Sequence, residues 1–86
     1  MVNDTVKGII SAIAADIVAV KETTAAAREA GKRIDADEVH GDAWKLNEKA
    51  KIVEHLNDRL AELHAYIDME VTYLRDELNR SEKYGN

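Results

Sequence analysis

The residues of this chain best suited to chemistry are three histidines and a dense set of carboxylates. Asp37 and His40 are three apart, and His64 and Asp68 four apart, so each pair can share one face of a helix. A carboxylate-bridged two-metal bundle needs two Glu-x-x-His motifs and two further carboxylates. None of His40, His55 and His64 has a glutamate three residues before it. The zinc-protease spacing is missing too, and there is no cysteine to supply a thiolate. No metal ion and no cofactor is expected, and the histidines read as exposed or seam residues.

Nucleophilic chemistry fares no better. Ser11 and Ser81 lack a base and an orienting acid at any telling spacing, and no Gly-rich phosphate loop is present. The acid clusters Asp76/Glu77 and Glu48/Glu54 suit magnesium in a helical nucleotide hydrolase, but the paired Glu-x-x-Glu spacing of such sites is lacking. An enzyme is not expected.

The elements that would carry these residues are helical. Proline, phenylalanine and cysteine are all absent from the 86 residues. Alanine and the straight-chain residues, which lose little freedom in a helix, abound. Val39, Leu46, Val53, Leu60, Ile67 and Leu74 recur every seventh residue, the mark of one long helix that keeps a stripe against a partner. Upstream, Val6, Ile10, Ile13, Ile17, Val20, Thr24 and Ala27 alternate steps of four and three, a second helical stripe. Asp16 interrupts the apolar run of that helix and reads as a solvent-edge residue or one paired in a bundle. Gly31 suits a left-handed helix end. Asp35 and Glu38 make an acidic capping box, with Ile34 stapled on Val39.

The spacing therefore predicts a single all-α domain: helix 1 over about 4–30, a turn at 31–35, helix 2 over about 36–80 and a frayed tail at 81–86. Gly41 is the one weak point of helix 2. The turn Ile34-Asp35-Ala36-Asp37-Glu38 resembles that of the Rop-type copy-number regulators, and the likeness implies a homodimeric four-helix bundle. Pairing outward from this turn sets Ala27 against Val39, Val20 against Leu46, Ile13 against Val53 and Val6 against Leu60. Residues 64–80 of helix 2 then project beyond helix 1 with an apolar stripe. The expected fold is an antiparallel helical hairpin with a long second helix, assembling as a coiled-coil-like bundle. Leu60, Leu63, Ile67, Val71, Leu74 and Leu78 form the expected dimer interface.

Charge narrows the partner. Formal net charge is -5, divided as +1 over residues 1–33 and -6 over residues 34–86. An acidic second half disfavours a phosphate backbone as ligand. Binding nucleic acid through Lys7, Lys21, Arg28, Lys32 and Arg33 would need those bases on one face. The apolar run Gly8–Val20 falls short of the roughly 20 residues of a spanning helix, so a cytoplasmic protein with no membrane partner is expected. Tyr66, Met69 and Tyr73 share a sector away from the main stripe. With Glu62, Asp68, Asp76 and Glu77 they are the candidate partner-binding residues. The leading expectation is a small acidic, non-enzymatic protein–protein interaction module, homodimeric and binding a further protein. The alternative is an inhibitor of phage or mobile-element type, whose acidic strip blocks a nucleic-acid-binding site on its target.

Overall fold

A computed structural model describes the backbone of residues 4–84 and the side chains of residues 4–80. It is an all-α hairpin of two helices, α1 (Asp4–Asp35) and α2 (Asp42–Tyr84). At 1.5 Å per residue, helices of 32 and 43 residues make a rod, and the molecule measures 67 × 17 × 10 Å. Its radius of gyration is 19.6 Å, where a compact domain of this length would have about 12 Å.

Each terminus of the connection is explained by its residues. Asp42 opens α2 as an acid near the positive end of the dipole. The carbonyl of Gly41 accepts the first intrahelical bond, from the Lys45 amide at 3.2 Å, so Gly41 is the N-cap. Lys32 and Arg33 lie in the last turn of α1, at its negative end. The link between them is closed by Asp37. Its carboxylate accepts the amides of Val39 (2.7 Å) and His40 (2.9 Å) and contacts the His40 imidazole at 3.0 Å. The His40 ring stacks on Trp44, centroids 3.8 Å apart.

The turn thus lies at residues 36–41, several residues beyond the expected 31–35. Gly31 is inside α1, and no glycine of the described residues has positive φ. Asp35 ends α1 rather than capping α2; the Lys45 ammonium donates to its carbonyl, and its carboxylate pairs with Lys49. The physical reason is Ile34. It continues a seven-residue column, Val6–Ile13–Val20–Ala27–Ile34, that is buried or half-buried throughout. Fully burying an isoleucine is worth about 1.5–3 kcal/mol, so the half-burial of Ile34 offsets the roughly 1 kcal/mol that a mid-helix glycine costs. At the other end α2 runs to Tyr84, through most of the expected tail; residues 85–86 lie outside the described residues.

Moving the turn changes the pairing. Ala27 lies beside Ile52 and Leu56 instead of Val39, a displacement of roughly two heptads. Further along, Asp16 meets Glu70. Helix 1 therefore runs beside the stretch of α2 that the predicted register left projecting. The expected seven-residue stripe also divides: Val39 (88 % exposed), Leu46 (72 %) and Val53 (53 %) are open, whereas Leu60, Ile67 and Leu74 are half-buried. Of the expected dimer-interface residues, Leu63 is buried, Leu60, Ile67 and Leu74 flank it in the hairpin seam, and Val71 and Leu78 remain exposed.

Candidate interaction site

The seam is one residue deep. Among the described residues only Val6 and Leu63 are buried, at 4 % and 1 % exposure. On α2 the seam follows Leu56, Leu63, Glu70 and Glu77, a seven-residue column parallel to the expected one. Two of those four positions are acids, which hides the column from a search for apolar repeats. Glu70 is the costly one: its Oε1 is buried with no hydrogen-bond partner. A hydrogen bond with the Asp16 carboxyl, then burial and the Asp16 charge, raise the Glu70 carboxyl above the ordinary glutamate value. Asp16 is thus half-buried in the seam and paired, the second of the two alternatives for it.

Successive helix residues step round by about 100°, so columns seven apart lie side by side and define two broad faces on either side of the seam. Two grooves confirm the division. They share Ala27, Ile52 and Leu56. The first, of about 380 Å³, is completed by Thr24, Arg28, Gly31, Lys49 and Val53. The second, of about 340 Å³, is completed by Thr23, Ala26, His55 and Arg59.

On the first face α1 contributes Ile10, Ile17, Thr24 and Gly31, and outside them Lys7, Ala14, Lys21 and Arg28. From α2 come the Leu46–Val53–Leu60 column and, outside it, Asn57, His64, Val71 and Leu78. Ile10, Ile17, Leu46, Val53, Val71 and Leu78 are all exposed large apolar side chains. These columns contain one acid, Asp35 at the end of the Lys7–Arg28 row, and it is paired with Lys49 of α2. Among the described residues, Lys7, Lys21 and Arg28 have no ion-pair partner.

The second face is different in kind. Helix 1 gives small residues there, Ala12, Ala19, Thr23, Ala26 and Ala30. Helix 2 gives Tyr66, Met69 and Tyr73, exposed at 45–55 %. Its charges, and those bordering it, are paired along the helix: Lys51 with Glu48 (2.9 Å), Arg59 with Glu62 (2.7 Å) and Arg80 with Glu77 (3.4 Å). Of the candidate partner-binding residues, Tyr66, Met69, Tyr73, Glu62 and Asp76 fall together here. Asp68 lies round the back of α2 beside His64, and Glu77 is half-buried at the seam.

No family model fits the sequence, and neither a curated protein nor a solved structure is similar to it. The geometry alone speaks to function.

Among the described residues no three of His, Asp and Glu gather as a metal set, and no helix is long and apolar enough to cross a membrane. The Asp37–His40 pair is engaged in closing the connection. Sequence reasoning missed the first face as a unit. Its signal was present, because Lys7, Lys21 and Arg28 are spaced in multiples of seven, beside Ile10 and Ile17. The wrong turn position kept that column from being set against α2.

Proposed function

We propose that this chain is a non-enzymatic protein–protein interaction module, a helical hairpin that completes its core by burying the first face against a further helix. What carries this reading, among the described residues, is the seam of two buried side chains beside six large apolar side chains left open on one face. The surface area supports it. The chain exposes 6669 Å², whereas a compact monomer of 9.6 kDa exposes about 5,100 Å². That excess is ample for a standard interface, which takes about 800 Å² from each partner.

Two occupants meet the apolar requirement: a second copy, giving a homodimeric bundle, and a helix of another protein. The test is solution mass by light scattering across concentration, repeated with Val53→Glu and Val71→Glu. A dimer that both substitutions dissociate is the expected result for self-association. A dimer indifferent to both places its interface elsewhere and removes the first face from the reading. A monomer directs the same two variants to binding assays with helical partners. The inhibitor reading draws less from the geometry, because Glu48, Glu62 and Glu77 are each matched by a base one turn away, which breaks up the acidic strip between Glu54, Asp58 and Asp76.

A further inference from the structure

We infer that the occupant of the first face is an acidic amphipathic helix of another protein, with apolar residues on one stripe and carboxylates repeating about every seventh residue along one flank. The inference rests on the interaction-module reading and names its partner.

The floor of the face and its rim ask for different things. Ile10, Ile17, Val53 and Val71 offer an open apolar strip along two antiparallel helices, with Val53 in the wall of the first groove, a surface against which a third helix can lie. Lys7, Lys21 and Arg28 form a single row along the α1 rim, and none of them has an acid of its own among the described residues. From Lys7 to Arg28 the row spans about 32 Å of helix, matching roughly three heptads of a partner. Carboxylates at the flanking positions of that partner would meet the row while its stripe fills the floor, the arrangement by which coiled coils choose their partners.

A second copy answers only half of this demand. In any face-to-face dimer the opposing columns are the same columns, whose one carboxylate, Asp35, is already taken by Lys49, so the three cations gain no free acid. The back-to-face alternative offers Glu48 and Glu62, which Lys51 and Arg59 already occupy. Nucleic acid would supply phosphates to the row and nothing to the apolar floor. An anionic bilayer would meet both cations and apolar side chains, and vesicle binding is therefore one arm of the test.

The experiment titrates the full chain with three synthetic helices of about four heptads, alike in their Leu/Ile stripe and carrying Glu, Gln or Lys along one flank. The Glu helix is expected to bind about tenfold more tightly than the Gln helix at about 0.05 M salt, with the Lys helix weakest. That preference should vanish at about 0.5 M salt and in the Lys21→Gln/Arg28→Gln variant, and persist in Tyr73→Ala. Circular dichroism checks that each variant keeps its helix content. Equal binding of all three helices overturns the acidic partner and leaves the module reading standing. So does self-association that excludes the Glu helix, or preferential binding to phosphatidylserine vesicles or a DNA duplex. Failure of all three helices, joined to a monomer in light scattering, removes the module reading itself.

Discussion

The two faces of this hairpin are made from the same two helices, yet they handle charge in opposite ways. On the second face the bases of α2 are matched locally, Arg59 and Arg80 each one turn from an acid on the same helix, and Arg33 at the end of α1 is the one base there without an ion pair among the described residues. Such exposed pairs keep a surface soluble and contribute little to stability. On the first face three cations stand in a row without ion pairs among the described residues, its one acid, Asp35, being held by Lys49, next to apolar side chains left half open. One face is finished as a surface. The other is finished only as part of an interface.

The comparison can be broken most forcefully at the seam that both faces share. Leu63→Ala should cost about 2–5 kcal/mol, a loss visible as a large drop in the thermal midpoint by circular dichroism. A change under about 1 kcal/mol would mean that the helices do not pair through Leu63, and neither face would exist as described.

Next comes the acid pair in the seam. The folded state holds the Glu70 proton more tightly than the unfolded chain does, since its carboxyl is raised by Asp16. Its stabilising contribution is therefore full below the ordinary glutamate value of 4.5 and declines as pH rises through the raised value. Glu70→Gln should flatten melting temperature against pH above that point and raise it at neutral pH. An unchanged pH profile would remove Asp16 and Glu70 from contact. Asp37 titrates in the opposite sense: the His40 amide, then its imidazole and the Val39 amide, lower it to about 2. What it adds to the connection is present above its ordinary value of 3.8 and is lost as pH falls towards 2. Fluorescence of Trp44, stacked on His40, should report that loss locally.

A smaller effect, of the opposite sign, is expected at Gly31. It sits in helical conformation, and a methyl group there would meet nothing within 4 Å. Gly31→Ala should stabilise by about 0.5–1 kcal/mol. Destabilisation would restore Gly31 as a left-handed helix end and the turn to residues 31–35. The smallest effects should separate the faces directly. Arg59→Gln should lower stability by about 0.3–0.5 kcal/mol, and high salt should erase the difference. Arg28→Gln should leave stability unchanged, because Arg28 has no carboxylate partner to lose.

The sequence made the helical class and the hairpin legible, since a chain without proline and with two apolar periodicities has few other ways to bury them. It misplaced the turn because Gly31 and the Asp35/Glu38 box are strong local signals, while the column ending at Ile34 is a long-range one. Local capping is worth about 1 kcal/mol, and seam burial outweighs it. The α2 seam was hidden for a related reason. Glu70 and Glu77 occupy positions where periodicity looks for leucine, so the neighbouring column of Val39, Leu46 and Val53 looked the better stripe. Tyr66, Met69 and Tyr73 were legible as a group because their grouping depends on α2 alone. The cationic row needed the correct register of both helices.

The position of Val6 has a kinetic consequence. It is one of two buried side chains among the described residues, and it sits at the open end of the hairpin, the end farthest from the connection in sequence. From the meeting of Asp16 with Glu70, Val6 lies level with about residue 80 of α2. Closing that contact means ordering nearly the whole chain, whereas contacts near residues 36–41 close short loops at little entropic cost. Folding should therefore zip from the connection towards Val6. Amide exchange should grade along each helix from slow at Leu63 to fast near the termini, and Val6→Ala should steepen that gradient by letting the two ends splay.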